Sequence, residues 1–172
     1  MSRHGKTRQA VASFKGIKTR LEYLGNFSGR LLYWDFAQHP VKISASLTAL
    51  RQHYPKAKIT VVFDPSSTAL KYPQLLLDFG KAFVSADRIF LSRVSFLKNI
   101  SAENRISGND LIKEINKTKK SAYYQPENSV LIDNLVKNST KEDVIIFMSS
   151  GGVKFTKLIN EFGNRLSKEN EQ

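Results

Sequence analysis

Residues 33–40 organise the chain, with the sequence Tyr33-Trp34-Asp35-Phe36-Ala37-Gln38-His39-Pro40. An apolar run over 31–33 leads into this stretch and predicts a strand, and a pattern typical of a helix follows from Val41. Proline suits the first turn of a helix because the N–H group that it lacks would be unpaired there. In open α/β sheets, polar groups at a strand-to-helix junction lie where ligands bind. The Asp, Gln and His side chains are therefore candidate functional groups; alternatively, they only cap and flank the helix.

The composition is that of one globular domain. Hydrophobic residues make up 41% of the 172 residues, and cysteine is absent. This absence excludes disulfides, thiolate catalysis and zinc held by cysteine. No apolar run approaches the roughly 20 residues that span a bilayer, and the N-terminal residues lack the apolar stretch of a signal peptide. These features predict a cytoplasmic protein without a membrane segment.

The charge of the chain favours an anionic partner. Lysine and arginine outnumber aspartate and glutamate by 27 to 15, giving a net charge of +12 at pH 7. The first 30 residues are the most basic part, with Glu22 as their single acidic residue. A nucleotide, an acidic ligand or a nucleic acid would suit this charge. A basic nucleic-acid-binding module therefore stays open as an alternative class.

Hydrophobic periodicity predicts strands that alternate with helices. The predicted strands are 17–24, 30–34, 58–63, 88–92, 122–124 and 143–148, the first two forming a hairpin through a turn at 25–29. The predicted helices are 9–14, 41–55, 73–86 and 127–138, with two more over 111–115 and 155–166. This order predicts an α/β fold with a mostly parallel sheet, helices on both faces and an N-terminal β-hairpin. We expect a flexible basic N-terminus at 1–8, one domain at 9–168 and a polar tail at 169–172.

Two further candidates are basic or carboxylate side chains suited to a nucleotide. Alternation along the first strand would place Lys18, Arg20 and Glu22 on one face. The planar guanidinium of Arg20 suits a phosphate, although a solvated charged face is the alternative. The carboxylate of Asp35 could accept hydrogen bonds from ribose hydroxyls.

Two loops that follow buried strands are candidates for binding substrate. Asp64, Ser66 and Ser67 lie in the first loop with Lys71 just beyond, and they could bind a carboxylate or simply form a turn. Ser149-Ser150-Gly151-Gly152 form the second, where glycines permit close backbone approach and a helix N-terminus favours anions. A tight turn is again the alternative, because the second loop matches no known phosphate-binding motif. The three histidines have no metal-site spacing.

Four motifs together resemble the C-terminal domain of the Mur ligase family, the ATP-dependent amide-forming ligases of bacterial peptidoglycan synthesis. They are Phe14–Glu22, Trp34–Pro40, Val62–Pro65 and Phe147–Gly152. The resemblance runs from about Gln9 to Leu166 and implies a Rossmann-like domain. Met148–Gly152 is most similar to the subgroup that joins UDP-N-acetylmuramate to L-alanyl-γ-D-glutamyl-meso-diaminopimelate in peptidoglycan recycling. Another member, such as UDP-N-acetylmuramate–L-alanine ligase, is the alternative.

The resemblance implies cofactors and partners that this chain would share with other domains. The family has a UDP-sugar domain and a central P-loop ATPase domain, and neither is present here: no G-x-x-x-x-G-K-[ST] occurs. ATP and Mg²⁺ would act in the full-length enzyme, with none bound tightly by this domain and no metal site within it. UDP-N-acetylmuramate and the tripeptide are the implied partners, with no specific nucleic acid. We therefore expect the isolated chain to be inactive, as an excised domain, a truncated gene product or an inactive remnant.

The resemblance also implies roles for individual residues, none of them catalytic in this domain alone. Arg20 and Asp35 would contact the nucleotide as the domain closes, which positions substrates and excludes water from an acyl phosphate. Gln38 stands where the family usually has histidine, and it can hydrogen-bond but cannot change charge. Ser66 stands where the family usually has arginine, so it cannot pair bidentately with a carboxylate. The incoming peptide would lie near Gln38, His39, Asp64–Lys71 and Ser149–Gly152.

Overall fold

The computed structural model describes residues 3–14, 16–66, 68–94, 101, 105–118 and 121–169. Its strands are β1 Glu22–Phe27, β2 Arg30–Asp35, β3 Ile59–Asp64, β4 Arg88–Leu91, β5 Ser121–Tyr124 and β6 Val144–Ser149. Its helices are α1 Arg3–Ser13, α2 Pro40–His53, α3 Leu76–Ala82, α4 Gly108–Asn116, α5 Asn128–Asn138 and α6 Val153–Glu169. The sheet order is β1-β2-β6-β3-β4-β5, with β1 antiparallel to β2 and the other pairings parallel. The predicted fold class and the N-terminal hairpin are confirmed.

Strand β6 lies in the middle of the sheet, and all of its residues are buried. Val144, Ile146 and Met148 face the apolar cluster covered by α2, α3 and α4. Ile145 and Phe147 face the second cluster, which is covered by α5 and α6. A strand buried on both faces needs a continuous apolar run, and residues 144–148 provide one.

The order of the strands creates a crevice between β3 and β6. After β3 the chain continues through α3 to β4 and then β5, whereas β6 adds on the opposite side of β3. The helices that follow the two neighbouring strands therefore pack on opposite faces, α3 on one and α6 on the other. Such a switch point at the carboxyl edge of a parallel sheet is where ligands bind. Asp64 and Ser149 are the paired strand ends at this point.

The strand predicted over 17–24 is wrong in its first half, since β1 starts only at Glu22. Thr19 and Leu21 have φ angles of 58° and 43°, which side chains other than glycine rarely adopt. Their N–H groups donate to the carboxylates of Glu22, at 2.7 Å, and Asp35, at 3.1 Å. The bond to Asp35 joins residues 14 apart in the sequence. Local periodicity therefore could not reveal this bend.

The observed ends of other helices and strands also differ from the predicted ones. Helix α1 begins at Arg3 rather than at Gln9, inside the segment expected to be flexible. Strand β1 extends into the turn predicted at 25–29 and ends at Phe27, with a bulge at Gly25, whose φ is 137°. The helix predicted over 73–86 is a 3₁₀ turn, Pro73–Leu75, followed by the shorter α3. The division of the chain into 1–8, 9–168 and 169–172 stays a prediction.

Candidate functional site

The predicted site residues that the structure brings together lie along the carboxyl edge of the sheet in two groups. Arg20, Asp35, Gln38 and His39 lie near the end of β2. Asp64, Ser66 and Ser149–Gly152 lie around the crevice between β3 and β6.

Two predicted residues do not join either group. Ser67 lies outside the described residues. Lys71 ends a 3₁₀ turn, and its Nζ lies 5.1 Å from the centre of the Tyr72 ring. It is not among the described residues that line the cleft in the second group.

Asp35 is buried, and its carboxylate links two segments of the chain. Its Oδ2 atom accepts hydrogen bonds from the N–H of Leu21 at 3.1 Å and from the Ser46 hydroxyl at 2.8 Å. These bonds tie the bend before β1 to helix α2. The alternative that Asp35 caps this helix is wrong, because His39 is the cap: its Nδ1 accepts from the N–H of Val41 at 3.3 Å.

Arg20 lies in the bend before β1 and is exposed. The predicted strand face of Lys18, Arg20 and Glu22 therefore does not form. The Arg20 guanidinium lies 5.0 Å from the centre of the Phe36 ring, and its Nη1 donates to the Thr19 carbonyl at 3.1 Å. An exposed cation–π contact is worth only about 0.5–1 kcal/mol. The guanidinium therefore remains able to bind an anion beside the end of β2.

Gln38 connects the two groups. Its Oε1 atom accepts a hydrogen bond from the N–H of Ser66 at 2.5 Å. Its Nε2 atom is buried and has no hydrogen-bond partner among the described residues. The amide thus fixes the loop after β3 to the segment after β2, and both N–H groups of Nε2 remain for a further contact.

Asp64 joins three strand ends. Its Oδ1 accepts from the Ser92 hydroxyl and its Oδ2 from the Ser149 hydroxyl, each at 2.7 Å. Ser149 is fully buried, and its Oγ also accepts from the N–H of Gly151 at 3.1 Å. Because both carboxylate oxygens are hydrogen-bonded, the geometry favours a role for Asp64 in holding β3, β4 and β6 together.

The second glycine of the loop, Gly152, lies directly before α6. Its carbonyl accepts from the N–H groups of Phe155 and Thr156, each at 3.1 Å. Gly151 and Gly152 have φ angles of 88° and 101°, which glycine adopts without steric cost. The loop is thus the tight strand-to-helix turn that the sequence analysis weighed as an alternative to a binding role.

A cleft with a volume of about 720 Å³ opens beside the Asp64 network. Asp64, Ser66, Ser150 and Gly151 are the predicted residues that line it. Its volume is typical of a site for a small ligand. The remaining lining residues follow β4 or β5, follow Asp64 directly or belong to α6: Pro65, Ser92, Arg93, Pro126, Glu127, Asn128, Ser129, Phe155 and Leu158.

The sequence analysis missed most of this cleft, although the signal was present. The carboxyl ends of parallel strands meet at one edge of a sheet. Residues that follow the predicted strands 88–92 and 122–124 are therefore candidates for the same edge of the sheet. Arg93 and Glu127 are among them, and the sheet order brings them beside the loop after β3.

Two further findings concern the part of the chain that the structure describes. No group of three or more His, Asp or Glu side chains there could hold a metal ion. Of the helices in the same residues, none is both long enough and apolar enough to cross a membrane.

A family model described as Mur ligase, glutamate ligase domain, matches residues 19–151. The chain belongs to this family. The matched residues include the bend at Arg20, the junction at Asp35 and the crevice between β3 and β6. Apart from Gly152, the candidate residues of both groups therefore lie within the matched residues.

One relative is the UDP-N-acetylmuramate–L-alanine ligase of Hydrogenobaculum sp. (strain Y04AAS1). It is 34% identical over 148 residues, which cover 85% of this chain and 31% of the relative. Another such ligase, from Caldanaerobacter subterraneus subsp. tengcongensis, is 28% identical over 97% of this chain and 34% of its own length. The chain thus spans about a third of the length of the curated relatives that it matches.

The crystal structure of a murein peptide ligase from Psychrobacter arcticus 273-4 has the same fold. The TM-score is 0.71 at 21% identity, covering 91% of this chain and 32% of that chain. The sequence relatives named above are L-alanine ligases, whereas this structural neighbour is a murein peptide ligase. The family is therefore established, and the acceptor substrate is a separate question.

Proposed function

We propose that this chain is the C-terminal domain of an ATP-dependent ligase that joins UDP-N-acetylmuramate to L-alanyl-γ-D-glutamyl-meso-diaminopimelate in peptidoglycan recycling. The observation that carries the proposal is the cleft between the ends of β3 and β6, in a chain of the Mur ligase family. L-Alanine is the alternative acceptor, and the identity with L-alanine ligases supports it. ATP is a cytoplasmic metabolite, so we place the activity in the cytoplasm.

The size of the cleft supports the larger acceptor. A free alanine would fill only a small part of about 720 Å³, whereas the end of a tripeptide would contact several walls at once. Hydroxyl groups of Ser92, Ser129 and Ser150 line these walls. The hydroxyls of Ser129 and Ser150 can donate to or accept from peptide groups, whereas the Ser92 hydroxyl already donates to Asp64 and can only accept. Polar groups that converge on a concave site fix the orientation of a ligand.

The residues near the end of β2 suit a nucleotide on a neighbouring domain. Arg20 is exposed with a guanidinium that can bind a phosphate. Among the described residues, both hydrogen bonds of the Asp35 carboxylate go to Oδ2, so Oδ1 could accept from a ribose hydroxyl. ATP with Mg²⁺ supplies the activating phosphoryl group when bound by the central domain. No acidic cluster in the described residues suits the metal, so we place it on that other domain.

In this proposal the domain positions the substrates and forms no covalent bond with them. Closing over the central domain would bring the cleft and its bound amine towards the activated carboxylate of UDP-N-acetylmuramate. Closure would also exclude water that hydrolyses an acyl phosphate. Arg20 and the bend before β1 would form part of the closing surface.

Binding of the two acceptors to the isolated chain tests the proposal. We expect the tripeptide to shift the NMR resonances of backbone amides around Ser92, Glu127 and Gly151, and L-alanine to shift them less. Incubation with ATP, magnesium, UDP-N-acetylmuramate and tripeptide should release no phosphate, because the chain lacks a phosphate-binding loop. Tighter binding of L-alanine than of the tripeptide would favour the alternative acceptor. Phosphate release above a mock preparation would contradict the domain assignment.

A further inference from the structure

We infer that Arg93 and Glu127 recognise a zwitterionic amino-acid head group in the cleft, with Arg93 binding its carboxylate and Glu127 its ammonium. The inference rests on the proposed function for the identity of the natural substrate, and it adds the residues and the charge pattern that select it. Both side chains line the cleft. Neither of them belongs to the motifs in the sequence that pointed to a function.

The two residues come from different parts of the cleft. Arg93 follows the end of β4, and Glu127 directly precedes α5. Arg93 Nη2 lies 3.2 Å from Glu127 Oε1. Glu127 makes no side-chain cap bond to its helix, so its carboxylate is oriented by Arg93. The pair therefore places one positive and one negative group side by side on the cleft.

The ion pair is weak enough to exchange partners. The Arg93 and Glu127 side chains are 68% and 67% exposed. Exposed ion pairs contribute only about 0–1 kcal/mol because water screens them and long side chains lose freedom. A ligand that offers a carboxylate to Arg93 and an ammonium to Glu127 replaces one exposed contact with two. The guanidinium can hold the carboxylate bidentately.

The other described lining residues set the charge balance of the cleft. The Asp64 carboxylate is a third charged group, but both of its oxygens already accept from Ser92 and Ser149, so Arg93 and Glu127 are the charged groups left to contact a ligand; the remaining described lining residues are neutral. A ligand with two negative or two positive groups would leave one member of the pair unmatched. Phe155 and Leu158, both buried on α6, offer apolar surface to the stem of the ligand. The cleft therefore suits one positive group, one negative group and an aliphatic chain.

The protonation state of the head group bears on the reaction. An ammonium has three donors and no lone pair, so an amine held by Glu127 in this form cannot attack an activated carboxylate. The recognised head group is therefore remote from the reacting amine. A peptide that ends in a diamino acid has such a second amino group, whereas a free monoamino acid does not.

A set of probes with one shared skeleton tests the charge pattern. Norleucine carries both charges, hexanoate only the carboxylate and pentylamine only the ammonium. NMR titration of the 172-residue chain with each probe should show norleucine binding about two- to fivefold tighter than either analogue, since each analogue loses one exposed charge contact. Arg93→Gln should abolish the preference over pentylamine, and Glu127→Gln should abolish the preference over hexanoate.

Arg165→Gln is the matched control. Arg165 pairs with Asp133 on α5 and does not line the cleft, so this change should leave all three affinities unaltered. Equal affinity for the three probes, no binding of norleucine at millimolar concentration, or the same losses in Arg165→Gln would overturn the inference. This test and the test of the proposed function can give different results. Charge-selective binding of norleucine without any binding of the tripeptide would retain the recognition pair and reject the proposed substrate.

Discussion

The Oδ2 atom of Asp64 lies 2.7 Å from the Oγ atom of Ser149, and this hydrogen bond joins the ends of β3 and β6 across the crevice. The two residues are 85 positions apart in the sequence. Ser149 also accepts from the N–H of Gly151, so one hydroxyl fixes both the neighbouring strand and the loop that leads into α6. The shape of the cleft therefore depends on this serine.

Ser149→Ala should lower the free energy of unfolding by about 1–2 kcal/mol, because Asp64 loses a donor and the N–H of Gly151 loses its acceptor. Ser150→Ala is the control, since Ser150 is the exposed neighbour in the same loop and an exposed substitution costs about 0.5 kcal/mol or less. Urea denaturation of both variants measures the difference. Equal stability of the two variants would show that the bond contributes nothing.

Gly151→Ala should destabilise the fold more than Gly152→Ala. Both residues have positive φ angles, of 88° and 101°, so alanine is strained at either position by about 1–2 kcal/mol. A Cβ atom on Gly151 would also lie 3.1 Å from Cζ2 of Trp34, whereas Gly152 has open space around it. The melting temperatures of the two variants test this order. A smaller loss for Gly151→Ala would mean that Trp34 moves aside freely.

Stability should fall as the pH rises above the ordinary pKa of tyrosine, about 10. Burial, followed by the 2.6 Å hydrogen bond between the hydroxyls of Tyr33 and Tyr54, raises the pKa of Tyr33 above its ordinary value of 10.0. The unfolded chain then loses this proton at a lower pH than the folded chain does, so rising pH favours unfolding. Urea denaturation on either side of about pH 10 should show a shallower fall for Tyr33→Phe than for the parent. The same fall in the free energy of unfolding with pH in Tyr33→Phe and in the parent would contradict the assignment of this effect to Tyr33.

The sequence predicted those parts of the fold that depend on local patterns. The run Val144–Met148 is apolar throughout because the strand is buried on both faces. Pro40 marks the start of α2. The bend before β1 could not be predicted, because a carboxylate from the end of β2 holds the N–H of Leu21 in an unusual backbone conformation.

The residues of the candidate site, like the fold, were predicted from the sequence only in part. Asp64 and Ser149–Gly152 carry recognisable loop chemistry, and the structure places them at one crevice. Arg93 and Glu127 lie next to no motif, and only the parallel alignment of β4 and β5 with β3 brings them to the cleft. Which strand ends become neighbours follows from sheet order, and sheet order is a property of the whole chain.

Arg20→Gln should reduce kcat/KM for ATP about ten- to a hundredfold in a ligase that contains this domain, since a charged hydrogen bond to phosphate is worth about 1.5–3 kcal/mol. Arg20 is exposed, so the melting temperature should not change. Lys18→Gln is the control for general loss of positive charge in the same turn. Asp35 is a less selective target, because its substitution would also disturb the bend before β1. Equal losses of kcat/KM for ATP in Arg20→Gln and Lys18→Gln would contradict a specific role, since Arg20 would then contribute only general positive charge.

The central claim is that this chain completes an amide ligase, and a chimera tests it most directly. The segment of the Hydrogenobaculum ligase that matches this chain, 31% of its length, is replaced by the 172 residues, and the unchanged ligase serves as the control. We predict phosphate release that depends on UDP-N-acetylmuramate and on the acceptor, with the tripeptide used in preference to L-alanine and the ligated product confirmed by mass. A folded chimera that binds ATP as tightly as the control but ligates neither acceptor would contradict the claim.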